Sequence, residues 1–241
     1  MVNSIAEENQ DTAPRFWYSW KGLIIRAIVL DRLYKKNEIF KRTHLDEKQF
    51  EQALGELSKY ELLSRADEDR FWVSSIELCD QYRSFFKKLK ENLVDWVNQW
   101  RLQEKVESKL NHFFLEDRLL YEFSEKLLEN ANMEILVANP YIKKCHISNT
   151  LMSMGEKGIN VKLITRSSTE RYIKELSDKG IAITNDDSVH AKLIVADRCV
   201  GVVSSMNFFA ASSGGASWEA GLVTIEEPIV QSVAHSILSR T

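Results

Sequence analysis

The sequence predicts an α/β fold in which a layered sheet with helices on both faces follows a mainly helical domain. From residue 133 onward, apolar runs such as MEILVANPYI and INVKLITR alternate with helical segments of about 10–15 residues, as strands alternate with the helices that cover them. Glycines stand where two of these helices should end: Gly155 and Gly158 after the first helix, and Gly180 after the second. Because the pattern occurs once, residues 131–241 are predicted to form a single domain of this kind.

Residues 15–86 are predicted to form a winged helix-turn-helix-like domain. Helical apolar spacing begins near residue 16, and either Thr43 or Asp46 is placed to cap a later helix. The segment SRADEDRFWVSS is typical of a tight polar turn between two short strands. Nucleic-acid contacts are predicted for the basic residues near the expected DNA-facing surface: Lys35, Lys36, Lys41, Arg42 and Lys48. The predicted turn is acidic and would repel phosphates, so protein interaction is the alternative role of this domain.

The remaining segments are predicted to be a disordered arm, residues 1–14, and linking or dimerisation helices, residues 87–130. In the second segment, apolar and aromatic residues recur at three- and four-residue steps from Leu89 to Phe114. Such a stripe is buried either against a neighbouring domain or in a helical dimer interface, and the sequence is compatible with both.

The composition argues against several functional classes. The net charge of −3 does not indicate nucleic-acid binding by itself, although it is compatible with a local basic patch. Cys79, Cys145 and Cys199 lie far apart and outside any CxxC spacing, so neither a zinc site nor a disulfide framework is predicted, and no cofactor is implied. The N-terminus lacks the order of a signal peptide, and no apolar run approaches the roughly 18 residues of a membrane span. A cytoplasmic protein without a membrane partner is therefore predicted.

The stretch HAKLIVADRCVGVVSSMNFF carries the residues of a candidate active site. His190 and Lys192 are two residues apart, so on a strand both side chains would point into one pocket. Lys192 supplies a positive charge and Asn207 a neutral hydrogen-bond donor. An imidazole such as that of His190 is a suitable nucleophile because much of it carries no extra proton near neutral pH.

This stretch resembles the signature of the phospholipase D superfamily, which reads HxK, four residues, Asp, six residues, Gly-Ser and then Asn, with a Glu downstream. The matching residues are His190, Lys192, Asp197, Ser205, Asn207 and Glu219. One position departs from the signature, because Ser204 stands where the family usually has glycine. The resemblance covers residues 133–238 and implies the fold of that family.

The resemblance also implies a role for each residue. His190 would attack phosphorus and form a phosphohistidine, while Glu219 would accept a hydrogen bond from the other ring nitrogen and Ser205 would donate to the phosphate. Asp197 is expected to be structural, either holding the strand turn or contacting a lysine. No metal is needed. Because the leaving oxygen needs a proton from a second histidine and the chain has one HxK motif, a homodimer with two copies of His190 at its axis is predicted.

Together these features predict a metal-independent phosphodiesterase, in its most specific form a homodimeric nuclease that acts on nucleic acid, with DNA favoured over RNA. One alternative is a transcriptional regulator whose architecture resembles that of the archaeal TrmB regulators and whose phospholipase D-like domain binds a ligand. Another is an enzyme that acts on a phospholipid or another small phosphodiester. The intact set of His, Lys, Asn and Glu favours the enzyme, because a sensor domain does not need a nucleophile.

Overall fold

A computed structural model describes residues 16, 19–43, 45–67, 69–106, 111–166, 169–209 and 217–241. The predicted arm, residues 1–14, lies outside these described residues. The chain divides into two compact units, Met1–Lys88 and Leu89–Thr241, and the boundary falls inside one continuous helix, Ile76–Gln103. No helix among the described residues has both the length and the apolar character required to cross a membrane.

The described part of the N-terminal unit, before its long final helix, contains three short helices followed by a hairpin. They are α1 (Trp20–Val29), α2 (Lys36–Thr43), α3 (Glu47–Lys59), β1 (Leu63–Arg65) and β2 (Phe71–Val73). Of the two predicted caps, Asp46 is the one observed: it accepts a hydrogen bond from the backbone N–H of Gln49, whose side chain accepts one from the backbone N–H of Asp46. An isolated bridge between Lys35 and Arg70 adds a third extended segment beside the hairpin.

The long helix α4 (Ile76–Gln103) carries the aromatic stripe that the sequence predicts, and its partner is the core of the C-terminal unit. Leu93, Val97 and Trp100 are buried there, and the ring of Trp100 packs edge-on against Phe123 with centroids 4.8 Å apart. Of the two alternatives for this stripe, the structure therefore shows packing within the chain.

The prediction of linking or dimerisation helices over residues 87–130 is wrong in the middle of that range. Residues His112–Glu116 form strand β3 instead. Phe113 and Leu115 are buried whereas Phe114 is exposed, so burial follows the two-residue period of a strand. Aromatic residues favour either element here, and pairing of β3 with a later strand decides between them.

The C-terminal unit continues as an α/β domain, which confirms the predicted fold class. The elements after β3 are α5 (Asp117–Glu129), β4 (Glu134–Ala138), α6 (His146–Glu156), β5 (Asn160–Thr165), α7 (Glu170–Asp178), β6 (Ile181–Asn185), β7 (Leu193–Ala196), β8 (Val200–Ser204), β9 (Ala220–Thr224) and α8 (Glu227–Leu238). The seven strands form one sheet in the order β3-β9-β8-β7-β4-β5-β6. The pairs β4–β5 and β5–β6 are parallel and the others are antiparallel.

Helices cover both faces of this sheet. On one face, α4, α5 and α6 contribute to the larger apolar core. On the other, α8 places Val230, Ala234 and Ile237 against the central strands β4 and β7. Each buried side chain removes apolar surface from water, which contributes about 25 cal/mol per Å².

The strand directions bring many loops to one edge of the sheet, here called the site edge. It consists of the carboxyl ends of β3, β4, β5, β6 and β8 together with the amino ends of β7 and β9. Leu193 pairs with Val203, and Ser204 pairs with Gly221, which sets the segments before β7, after β8 and before β9 side by side.

Candidate active site

The site edge brings together the segments that carry the motif. His190 and Lys192 precede β7, Ser205 and Asn207 follow β8, and Glu219 precedes β9. The strand β7 begins only at Leu193, so the prediction that His190 and Lys192 belong to the strand itself is wrong. Lys192 is nevertheless fixed to the sheet, because its carbonyl accepts a hydrogen bond of 3.0 Å from the backbone N–H of Ser204.

The imidazole of His190 is exposed, and its contact is with an arginine that the motif does not include. Nε2 of His190 lies 3.0 Å from Nη1 of Arg166, the residue after β5. A guanidinium can only donate, so Nε2 is the acceptor and the neutral ring carries its proton on Nδ1. Lys192 turns its ammonium to the carbonyl oxygen of His190 at 3.0 Å.

Glu219 is buried and takes part in a different contact from the predicted one. Its carboxylate accepts a short hydrogen bond from the hydroxyl of Ser205, which itself accepts one of 3.1 Å from the backbone N–H of Ala220. The backbone N–H of Glu219 donates to the carboxylate of Asp117 at 2.9 Å, and the carbonyl of Glu219 accepts from the backbone N–H of Asp117 at 2.8 Å. Within the described part of the chain, the predicted hydrogen bond between Glu219 and His190 is not present.

A buried asparagine outside the motif holds the loop that carries Asn207. Asn139 follows β4 and is fully buried. Its amide nitrogen donates to the carbonyl of Met206 at 3.0 Å, and its amide oxygen accepts from the backbone N–H of Phe208 at 3.3 Å. Asn139 therefore brackets Asn207 on both sides. The segment NPYI that contains it could be recognised from sequence only as the end of a strand, because its partners lie about 65–70 residues away in the sequence.

Asp197 belongs to the motif but lies at the opposite edge of the sheet. It follows the carboxyl end of β7, whereas His190 precedes the amino end. Its buried carboxylate accepts backbone N–H bonds from Asn132, Met133 and Glu134 at 2.8, 2.8 and 2.9 Å. These contacts tie Asp197, which follows β7, to the start of β4.

The serine that departs from the family signature is accommodated by a glycine in the next strand. Ser204 pairs with Gly221 across β8 and β9. A Cβ placed on Gly221 would lie 3.0 Å from Cβ of Ser204 and 2.7 Å from Cδ1 of Leu120, so a side chain fits on one of the two strands at this level. The hydroxyl of Ser204 also accepts a hydrogen bond of 3.3 Å from the backbone N–H of Met206.

The five predicted nucleic-acid contacts lie in the N-terminal unit and differ in their surroundings. Lys36 is paired with Glu51 at 2.7 Å, and Arg42 lies 3.5 Å from Asp31. The other three, Lys35, Lys41 and Lys48, are exposed. The first turn of α3 carries Glu47 beside Lys48, so the surface is mixed in charge.

No group of three or more His, Cys, Asp or Glu residues suited to a metal ion occurs in the ranges that the structure describes. Two cationic side chains contact His190: Arg166 at Nε2 of the ring and Lys192 at the carbonyl oxygen.

Comparison with known proteins relates the C-terminal unit to one family. Residues 125–239 match the family described as cardiolipin synthase, PLD-like domain. No curated protein matches the chain.

Solved structures similar to this chain include Nuc from Salmonella typhimurium, a phospholipase D family member, at 17% identity over 54% of this chain and 93% of that chain, with a TM-score of 0.46. NucT from Helicobacter pylori is similar at 13% identity over 54% of this chain and 96% of that chain, with a TM-score of 0.43. TrmBL2, an archaeal chromatin protein, is similar at 11% identity over 96% of this chain and 97% of that chain, with a TM-score of 0.42.

The family match spans α5 to α8 and includes every residue of the HxK, Asp, Ser, Asn and Glu set. The segments that carry this set flank the strands of the seven-stranded sheet, which has helices on both faces. Residues 125–239, just under half of the chain, form a domain of the phospholipase D-like type.

Proposed function

We propose that this protein is a phosphodiesterase, and more specifically a nuclease, that uses His190 as its nucleophile. The observation that carries the proposal is the meeting of His190, Lys192, Ser205, Asn207 and Glu219 at one edge of the sheet, with the imidazole exposed to solvent. A phosphodiester bound at this edge meets a nucleophilic nitrogen and an ammonium from the same short segment.

In this proposal Nε2 of His190 attacks phosphorus and forms a phosphohistidine, which water then hydrolyses. Lys192 leaves the carbonyl of His190 and binds a phosphate oxygen, and Asn207 donates to another. The Glu219 carboxylate accepts a hydrogen bond from the Ser205 hydroxyl in the structure. Either the imidazole or this hydroxyl must reorient before Glu219 can accept a hydrogen bond from Nδ1 of His190. The proposal places this change in the substrate complex.

Cleavage assays with matched variants test the reaction. We expect labelled single- or double-stranded DNA or RNA to be cleaved in EDTA, and His190→Ala and Lys192→Met to lose at least about 100-fold in rate, as for removal of a nucleophile or an electrostatic group. His146→Ala and Lys174→Met change exposed residues of the same types on helices α6 and α7, and both variants should retain activity. Cleavage that survives His190→Ala would show that another group performs the reaction.

The proposal includes a homodimer, because a single copy of the motif leaves the second histidine unaccounted for. A surface next to the site edge suits a second copy. Phe114, Leu222 and Val203 pair across β3, β9 and β8, and each is between 42% and 57% exposed. Cross-strand partners point to the same face, so the three side chains form one apolar row on the face that α8 covers elsewhere. A two-fold axis beside this row would bring two site edges together.

Subunit mixing tests the dimer. If cleavage needs two copies of His190, mixed dimers with one His190→Ala subunit are inactive, and an equal mixture retains about a quarter of the wild-type activity. If each subunit acts alone, about half remains. Leu222→Lys should produce monomers by sedimentation and a parallel loss of activity, whereas Ile229→Lys alters a comparably exposed apolar residue on α8 and should leave the dimer intact. A monomeric wild-type protein with full activity would contradict the proposal.

For the N-terminal unit we propose a winged-helix domain that binds nucleic acid, DNA in preference to RNA. Its support is the order of three helices and a hairpin, with the Lys35–Arg70 bridge as the third extended segment. Of the five predicted nucleic-acid contacts, the three exposed lysines, Lys35, Lys41 and Lys48, are available for phosphates. Lys36 and Arg42 face carboxylates and would add less, since their partners compete with phosphate.

The salt dependence of DNA binding tests this part. Each phosphate contact contributes about 0.9 to the slope of log affinity against log salt concentration, so reversing all three exposed lysines should lower the slope by up to about 3. The variant is Lys35→Glu, Lys41→Glu, Lys48→Glu. A control with the same change in net charge uses exposed lysines of the other unit: Lys126→Glu, Lys157→Glu, Lys174→Glu. An equal slope in both variants would contradict a role for the N-terminal lysines.

A ligand-binding regulator is the second candidate function. The observation that favours it is that Lys192 and His190 are both engaged within the chain, the first by a carbonyl and the second by Arg166. Such a site can hold an anion without reacting. DNA binding without cleavage of any nucleic acid, in both the wild-type protein and His190→Ala, would support this alternative.

A further inference from the structure

In the described structure, the guanidinium of Arg166 contacts the imidazole of His190, whereas Lys192 contacts only the backbone carbonyl of that residue. It follows β5, which is separated from β7 by β4. Neighbouring strands lie about 4.8 Å apart, so roughly 10 Å separates the two backbones and a long side chain is needed to span them. Arg166 therefore enters the site from the side opposite to Ser205, Asn207 and Glu219, which come from β8 and β9.

The side chain of Arg166 is held in place by the segment after β4. The backbone N–H of Arg166 donates to the carbonyl of Pro140 at 3.3 Å, and its guanidinium carbon lies 5.5 Å from the centre of the Tyr141 ring. An arginine over an aromatic face keeps its planar fork of donors directed outward from the ring edge. The fork has five N–H groups, and the contact with His190 needs one of them.

The contact with Arg166 occupies the lone pair that the reaction requires. Because Nε2 of His190 accepts from Arg166, phosphorus can approach Nε2 along the same direction only after the guanidinium has moved aside. The non-bridging oxygens of the incoming phosphate are the acceptors nearest to the displaced fork, and a guanidinium matches two of them at once.

We propose that Arg166 is a phosphate-binding residue of this site, which holds the reactive nitrogen of His190 in the free protein and transfers its hydrogen bonds to the oxyanion of the substrate phosphate. This inference rests on the proposed function. In the chemical step the lone pair of Nε2 forms the bond to phosphorus, the bond to the leaving oxygen breaks, and the second subunit's His190 protonates that oxygen. Arg166 retains its protons throughout and neutralises the charge on the non-bridging oxygens.

Two properties separate this role from a purely structural one. A phosphate-binding arginine determines the affinity for inorganic phosphate, which a packing residue remote from the ligand would leave unchanged. Arg166 also donates a hydrogen bond to Nε2 of His190, so its position affects the chemical shift of that nitrogen. Long-range proton–nitrogen NMR measures the chemical shifts of both ring nitrogens. Binding of phosphate to the wild-type protein should shift the Nε2 signal, because its hydrogen-bond donor leaves.

The experiment measures the affinity for inorganic phosphate by calorimetry in the wild-type protein, Arg166→Met, Arg166→Lys and the control Arg171→Met, an exposed arginine on α7. We expect Arg166→Met to bind phosphate about 10- to 100-fold more weakly, as for loss of a charge-assisted hydrogen bond. Arg166→Lys should be intermediate because it keeps the charge and loses the fork. Arg171→Met should match the wild type.

The same proteins are assayed for cleavage, which separates the two proposals. If cleavage depends on His190 and Arg166→Met keeps the wild-type kcat/KM and phosphate affinity, the role of Arg166 is overturned and the nuclease stands. If no protein cleaves nucleic acid but Arg166→Met loses phosphate affinity, the phosphate site stands and the nuclease fails. The role of Arg166 would also be overturned if the wild-type protein did not bind phosphate. The same holds if Arg166→Met raised kcat/KM for cleavage while its phosphate affinity stayed at the wild-type value.

Discussion

Replacement of Asp197 should lower the stability of the C-terminal domain while leaving the chemistry of its folded molecules intact. The Asp197 carboxylate is fully buried and accepts three backbone N–H bonds, from Asn132, Met133 and Glu134. In Asp197→Asn an amide nitrogen replaces one of the two acceptor oxygens, so at least one backbone donor faces another donor. The charge that strengthened the other bonds is also lost.

The loss in the free energy of unfolding of Asp197→Asn can be calculated approximately from these three hydrogen bonds. A hydrogen bond to a charged group contributes about 1.5–3 kcal/mol, and a buried donor left unsatisfied costs about 1–3 kcal/mol. Losses within one cluster are not additive, so we expect about 2–4 kcal/mol, against a total stability of about 5–15 kcal/mol for a typical domain. The backbone adds no penalty, because φ of Asp197 is 49° and asparagine tolerates this left-handed conformation.

Urea unfolding followed by tryptophan fluorescence measures the change. With a denaturant slope of about 2 kcal/mol per molar urea, the midpoint should fall by about 1–2 M. Asp187→Asn removes an exposed carboxylate and should leave the free energy of unfolding within about 0.5 kcal/mol of that of the wild type. An unchanged midpoint for Asp197→Asn would refute the reasoning. So would activity per folded molecule as low as that of His190→Ala, because Asp197 would then act on the reaction.

Two further predictions concern packing and ionisation. Gly221→Ala should destabilise the domain by about 1–3 kcal/mol, because its Cβ would lie 2.7 Å from Leu120 and 3.0 Å from Ser204; urea unfolding of the double variant with Ser204→Gly should recover part of that loss, and strict additivity would contradict the pairing. Burial raises the pKa of Tyr121 to about 12 from an ordinary value of about 10, so its stabilising effect is complete below pH 10 and is lost as the pH rises towards 12; urea midpoints between about pH 9 and 11 should fall more steeply for the wild type than for Tyr121→Phe, and equal slopes would contradict this.

The fold of the C-terminal domain could be predicted because its signals are local. Apolar runs of strand length, helices ended by Gly158 and Gly180, and Pro228 in the first turn of α8 can each be recognised from a few neighbouring residues. Strand β3 was not predictable in the same way. Its sequence HFFLE also fits a helix, and it becomes a strand because its residues from His112 to Glu116 pair with β9, more than a hundred residues later.

The site was predictable to the extent that the motif records it. The HxK spacing located His190 and Lys192, and the register of β8 and β9 placed Ser205, Asn207 and Glu219 at the same edge. Two contributors escaped sequence reasoning because each acts across the sheet. Asn139 and Arg166 follow β4 and β5, and an asparagine or arginine after a strand has no distinctive spacing to any motif residue.

The spacing of the motif is a record of sheet geometry as much as of chemistry. Four residues separate Lys192 from Asp197, and they are the four residues of β7, which spans about 13 Å from one edge of the sheet to the other. Asp197 anchors the amino end of β4, and the carboxyl end of β4 carries Asn139, which holds the loop of Asn207. A change at Asp197 can therefore reach the site through β4 as well as through β7. For this reason the motif predicts the fold more securely than the reaction, which in our proposal depends also on the release of Nε2 of His190 by Arg166.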